Sequence, residues 1–243
     1  MANFFIIGAQ RSATSWLYTA LDHSPSICML KPLFPEVKYF LQPTSQLNRA
    51  EYLALFNNTA SQTILGEKAT SYIESPETAL KIKTTFPNAK ILICLRNPAQ
   101  RALSNYFFSY NYGVETRSLE EVFLEGTPEP SIDLNSFSAS PFAYLERGLY
   151  SRYLPAYTDI FPPEHVLITF MEDFTLGGSE LSKIFNYLGV TNLPPEASSS
   201  PVNESLRGYK ISKDIISKLE KYYHDDTKNL TQTYDLHIPY ART

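Results

Sequence analysis

Residues 4–21, FFIIGAQRSATSWLYTAL, decide the reading of this chain. Phe4–Ile7 is a short, wholly apolar run, as expected of a strand buried on both faces of a parallel sheet. Gly8 ends it, and Ala9–Ser12 form a tight polar loop. Ser12 or Thr14 is then expected to cap a helix whose apolar positions Ala13, Trp16, Leu17, Ala20 and Leu21 fall at helical spacing. A strand, a small loop and a helix N-terminus gather free backbone N–H groups and a positive dipole end at one point. That arrangement is an anion site, most often for phosphate.

The details narrow the anion. A nucleoside-triphosphate loop reads G-x-x-x-x-G-K-S/T. Here Gly8 is followed by Ala13, Thr14 and Ser15, so the second glycine and the lysine are both missing. The cation of the loop is Arg11. GAQRSATSWL resembles the 5′-phosphosulfate loop of sulfotransferases, G-x-x-K/R-S/G-G/A-T-S/T-x-L/F, whose members transfer a sulfuryl group from 3′-phosphoadenosine 5′-phosphosulfate (PAPS). The resemblance implies that Arg11, Ser12, Ala13, Thr14, Ser15 and Trp16 hold the 5′ end of the donor. The family's usual residue at the Arg11 position is lysine, and arginine replaces a mobile ammonium with a planar fork. The plainer reading is an ordinary strand–helix turn with one solvated arginine.

A second apolar run, Ile27–Leu30, leads into KPLFPEVKYF, residues 31–40. This loop lies at a strand's carboxyl end, where parallel sheets bind ligands. Glu36 and Lys38 sit there among Phe34, Tyr39 and Phe40. The segment resembles K-E-x-H-F-F of the heparan-sulfate-type sulfotransferases, whose glutamate is the catalytic base. Glu36 matches that glutamate, and Lys38 stands where the family often has histidine. An acceptor hydroxyl must lose its proton as it attacks sulfur, and a carboxylate can take it. The competing reading is a solvated salt bridge between Glu36 and Lys38. Residues 48–57 have helical spacing and good helix formers. Thr63–Leu65 reads as a third strand, ending in Gly66-Glu67-Lys68. The family has a comparable E-K-S/T-P-x-Y here, at the rim of the acceptor pocket. Lys68 and Tyr72 match, with Thr70 or Ser71 replacing the proline. With Phe34 and Tyr39, they form the expected acceptor contacts. Lys68 is either a contact to the sulfuryl oxygens or acceptor, or a surface lysine.

AKILICLRNPAQRALSNYFFSY, residues 89–110, is the other decisive stretch. Lys90–Leu95 reads as a buried strand, Arg96-Asn97-Pro98 as a turn, and Ala99–Tyr110 as a helix, with Pro76–Phe86 a helix before them. The stretch resembles the family's 3′-phosphate element, L/I-R-N/D-P-x-x-R-x-x-S-x-Y/F. Arg96 and Ser104 match the residues that hold the 3′-phosphate, and Arg101 matches a flanking arginine. An arginine at a strand end can fork onto phosphate oxygens. The two basic turns are thus expected to meet opposite ends of one nucleotide.

The remainder is less specific. Residues 113–142 carry a short helical pattern over Ser118–Leu124 and an irregular loop, read either as a lid or as a mobile insertion. Gly148, Tyr150, Leu154 and Tyr157 match the family's G-x-Y-x-x-x-L-x-x-W/Y helix. His165–Phe170 reads as a strand, with Glu172 and Asp173 expected to cap the next helix. Ser179–Leu188 is helical up to Gly189. Leu193–Pro201 is a Pro/Ser linker, and Arg207, Gly208 and Lys210 correspond to the family's late basic-glycine loop over the 3′-phosphate. An amphipathic helix over Ile211–Tyr223 precedes a packing tail. His23, beside a turn proline, reads as a capping or surface residue.

The totals bound the rest. At 243 residues with 43% hydrophobic and 14% aromatic content, the chain can bury one sizeable α/β core. A net charge of −4 argues against a nucleic-acid or anionic-membrane surface. Cys28 and Cys94 read as buried, reduced core residues, which suits a cytoplasmic protein, and the start of the chain shows no leader or apolar span. The expectation is an α/β, P-loop-like, three-layer single domain over residues 1–243, with a mainly parallel sheet of four or five strands. It would use PAPS without a metal, release 3′-phosphoadenosine 5′-phosphate (PAP) and sulfate a small-molecule acceptor. Glu36 would act as base, with Arg11, Lys38 or Lys68 offsetting charge. The oligomeric state is left open. Sulfation of a saccharide, a P-loop kinase of a small metabolite and an inert nucleotide-binding module are the rivals.

Overall fold

In the computed structural model the first strand, β1 (Ala2–Gly8), sends alternate side chains to two different cores. The described residues are 2–57, 61–130, 140–175, 179–190 and 209–240. Phe4 and Ile6 join a cluster with Trp16, Leu17, Leu21, Ile184, Phe185 and Leu188. Phe5 faces the other way, against Phe40, Tyr52 and Phe86. A strand with helices over both faces must be apolar throughout, which is why its sequence lacks polar alternation.

Four further strands complete the sheet: β2 (Ile27–Met29), β3 (Ile64–Lys68), β4 (Lys90–Leu95) and β5 (Val166–Phe170). Every pairing is parallel and the order is β2-β3-β1-β4-β5. The order reverses beside β1, so the carboxyl ends of β1 and β4 mark the switch point at which such sheets bind ligands. Gly66 in β3 exists for close packing: a Cβ there would lie 2.2 Å from the Phe4 ring. The expected strand at Thr63–Leu65 runs on to Lys68, because Glu67 and Lys68 both find buried partners.

The helices are α1 (Thr14–Asp22), α2 (Arg49–Ala54), α3 (Pro76–Thr85), α4 (Pro98–Asn111), α5 (Tyr150–Tyr153), α6 (Pro155–Thr158), α7 (Met171–Phe174), α8 (Ser179–Leu188) and α9 (Lys213–Tyr234). Asn48, Ser75, Asn97 and Ser212 cap α2, α3, α4 and α9 with their side chains. Pro155 divides the expected 148–157 helix, since it can begin a helix but not continue one. Helix α9 passes the expected end at Tyr223 by three turns. Its buried positions Leu219, Tyr223, Asp226 and Leu230 keep one stripe covered along that length. The helical turn expected over Ser118–Leu124 is π-type and spans Glu121–Glu125.

The chain divides into two compact units: Met1–Leu95 with Tyr153–Val202, and Arg96–Arg152 with Asn203–Thr243. The first holds the sheet. The second has its own core of Ala102, Leu103, Tyr106, Phe107, Phe123, Tyr144, Ile215, Leu219 and Tyr223. Cys28 and Cys94 are free and buried. Among the described residues no helix is long and apolar enough to cross a membrane.

Candidate active site

In the first unit the loop after β1 turns through unusual backbone. Gly8 has φ 150°, and a Cβ there would meet Ile73 at 2.7 Å. Arg11 and Ala13 take left-handed φ values of 66° and 55°, which L residues adopt rarely and at a cost. The expected cap is corrected: Ala13 is the N-cap of α1 and no side chain closes it. Ser12 instead turns inward, where its Oγ is buried with no hydrogen-bond partner. An orphan hydroxyl beside the first-turn N–H groups of α1, which helix geometry leaves without intrahelical partners, fits an anionic group such as a phosphate. The Trp16 ring packs against Phe174 in the core.

Opposite this loop, β3 and the 31–38 segment assemble a charged cluster. Lys68 Nζ lies 2.8 Å from Glu36 Oε1 and donates to Ser15 Oγ at 3.2 Å. The same ammonium lies 4.6 Å above the Phe34 ring. Lys38 Nζ approaches Glu36 Oε2 at 3.8 Å. Thr70 closes the cluster: its N–H donates to Glu36 Oε2 at 3.1 Å and its hydroxyl to Oε1 at 3.0 Å. The Glu36 and Lys68 side chains are 9% and 2% exposed. Removing one partner of so buried a pair costs about 3–5 kcal/mol. Both competing readings are corrected. Lys68 is no surface lysine, and the Glu36–Lys38 contact is the longer and weaker of the two salt bridges.

Behind this cluster lies a carboxylate whose role the sequence did not signal. Glu67, next to Lys68 on β3, points to the opposite face and is buried. The Tyr72 and Tyr52 hydroxyls donate to it at 2.7 and 3.0 Å, and Tyr39 N–H at 3.3 Å. Burial pushes its pKa up to about 7, against the lowering effect of these hydrogen bonds. Tyr39 and Tyr72, expected as acceptor contacts, are therefore placed in the aromatic core. Tyr72 accepts from Phe40 N–H at 2.8 Å, and the Tyr39 hydroxyl exchanges hydrogen bonds with the backbone of Asn48. Phe34, in contrast, is 57% exposed.

The second unit carries the other basic element. Arg96 is the residue after β4, and the Asn97 side chain accepts from Gln100 N–H at 3.0 Å to start α4. Ser104 is buried two turns on. Arg101 is a core residue, fully buried, with its guanidinium donating to Asn105 Oδ1 and Tyr144 O. Of the late basic loop, Arg207 and Gly208 lie outside the described residues, as do the 193–201 linker and residues 131–139 of the expected lid, and Lys210 is exposed. Elsewhere, His23 is an exposed helix-end residue bonded to Thr19 O, as expected. Glu172 and Asp173 fall within the first turn of α7 rather than capping a later helix.

Comparison with known proteins bears on this geometry. The profile of the sulfotransferase domain family matches residues 2–230. The solved sulfotransferase of Alicyclobacillus acidocaldarius superposes with a TM-score of 0.77 at 25% identity, covering 98% of this chain and 97% of that one. The sulfotransferase domain of the curacin biosynthetic pathway shares the fold, with a TM-score of 0.57 at 15% identity over 98% and 99% of the two chains. The membrane-associated sulfotransferase kil1 of Dictyostelium discoideum is 33% identical over 116 residues, 46% of this chain and 24% of that protein. The bifunctional heparan sulfate N-deacetylase/N-sulfotransferase 2 of Bos taurus is 26% identical over 197 residues, 79% and 22% of the two. The chain thus spans about a quarter of the curated relatives it matches.

Proposed function

This chain belongs to the sulfotransferase domain family, and from that footing we propose that it moves a sulfuryl group from PAPS to a hydroxyl or amine of a small-molecule acceptor. The observation that carries the reading is the Glu36 carboxylate, gripped by Lys68 and Thr70 while Lys68 also binds Ser15 on the first turn of α1. The acceptor oxygen attacks sulfur as the bond from sulfur to the 5′-phosphate oxygen breaks. The acceptor proton passes to Glu36, and PAP leaves. Arg11, Ser12 and the amides of residues 11–15 hold the 5′-phosphate, and Lys68 offsets charge on the sulfuryl oxygens. Arg96 and Ser104 hold the 3′-phosphate. Positioning and charge stabilisation supply most of the catalysis, as in phosphoryl transfer.

A net charge of −4 suits an uncharged or cationic small acceptor better than a polyanionic chain. Free, buried cysteines suit a reducing, cytoplasmic setting. The heparan sulfate relatives favour a saccharide acceptor as the second reading, so an acceptor screen must include amino sugars as well as phenols and alcohols. The donor is tested first. PAP without metal is expected to raise the melting temperature more than ADP with magnesium does. Preference for ADP–magnesium would replace the reading with a kinase.

A further inference from the structure

Tyr150 and Asp226 are buried polar residues of the second unit that the chemistry above does not use. Tyr150 is fully buried, yet its hydroxyl does not end in the core. It donates to the backbone carbonyl of Arg96 at 2.9 Å. At its other end, the N–H of Tyr150 donates to Asp226 Oδ2 at 2.9 Å, and the N–H of Ser151 donates to Oδ1 at 3.1 Å. The Ser151 hydroxyl also donates to Oδ1. Asp226 comes from α9 and is 7% exposed, so one carboxylate far along the chain closes the start of α5.

We infer that Tyr150 and Asp226 are positioning residues for the arginine that holds the 3′-phosphate. The inference rests on the reading that Arg96 holds that phosphate. A guanidinium fork is specific only when its backbone is fixed, because both N–H bonds must meet phosphate oxygens together. Arg96 has left the sheet after Leu95 and stands just before α4, where Asn97 anchors one side of the turn. The Tyr150 hydroxyl anchors the other side through the Arg96 carbonyl. Asp226 fixes the backbone from which Tyr150 projects. A chain of three hydrogen-bonded residues therefore connects α9 to the turn that carries the arginine.

The test is calorimetric titration of the full chain with PAP and with metal-free ADP, which lacks the 3′-phosphate. Tyr150→Phe keeps the ring and removes the hydroxyl. It is expected to weaken PAP binding about tenfold, about 1.4 kcal/mol, with ADP affinity unchanged. Asp226→Asn is expected to change the same ratio in the same direction. Should Asp226→Asn fail to fold, Tyr150→Phe alone decides. Arg96→Ala is expected to abolish the preference for PAP over ADP. If Arg96→Ala does so while Tyr150→Phe leaves both affinities unchanged, or weakens both equally, the positioning role is overturned and the phosphate reading stands. If Arg96→Ala keeps the preference, the phosphate reading fails and the inference falls with it.

Discussion

Glu36 and Glu67 occupy the same unit, a few residues apart in space, and their surroundings are opposite. Glu36 faces two ammonium groups and two donors of Thr70. Glu67 faces two phenols and one amide in a buried aromatic nest, with its pKa pushed up to about 7. Strand β3 separates them, because Lys68 reaches toward Glu36 while Glu67 turns to the other face. The contrast teaches that residue type alone assigns no role. A carboxylate compensated by two ammonium groups beside the loop after β1 is the base proposed for the reaction. One enclosed by tyrosines is held protonated to higher pH by burial, so its titration is coupled to folding stability.

The comparison breaks most sharply at Glu36. Glu36→Gln is expected to lower kcat by about 10²–10⁴-fold with PAP affinity retained, read by radiolabelled sulfate transfer and calorimetry. Near-normal turnover would disqualify Glu36 as the base. For Glu67 the expected effect is on stability and its pH dependence. The unfolded chain releases this proton near pH 4.5, the folded one near 7. Between those values the folded state holds a proton that the unfolded state has lost, so stability falls as pH rises through the window. The fall amounts to about 3 kcal/mol. Glu67→Gln should remove it, so denaturant titrations at pH 4.5 and 8 should show the variant gaining on the unaltered protein at the higher pH. An equal difference at both pH values would make the two glutamates alike. The smallest effect is expected at Thr70. Thr70→Val removes one donor from Glu36 and keeps the backbone N–H. It should lower kcat about tenfold with the KM for PAPS unchanged, and Thr70→Ser should restore it. A change in KM alone would place Thr70 in donor binding instead.

Much of this was legible in advance where the signal is local. The run Phe4–Ile7 followed by Gly8 reads as strand and turn because each residue's preference depends on its neighbours. So do Lys90–Leu95 with Asn97-Pro98, and the Ser179–Leu188 helix ending at Gly189. The cap on α1 is not legible locally, because Ser12 and Thr14 are both good caps. The left-handed turn at Ala13 decides against both and directs Ser12 inward. Tyr39 and Tyr72 carried an aromatic signal that fits a pocket wall and a core equally well. The core wins because buried Glu67 takes the Tyr72 hydroxyl and the Tyr39 backbone N–H, while the Tyr39 hydroxyl pairs with the backbone of Asn48.

What the sequence determined by itself is the order of strands and helices, the two basic turns and the family they resemble, since periodicity and turn chemistry act over a few residues. Tertiary structure alone decided that Lys68 is buried, that Thr70 holds Glu36 across 34 residues of chain, and that Lys68 reaches Ser15 across 53. Charge compensation and burial depend on which distant segments the parallel sheet sets side by side, and no local preference of the chain encodes those distances.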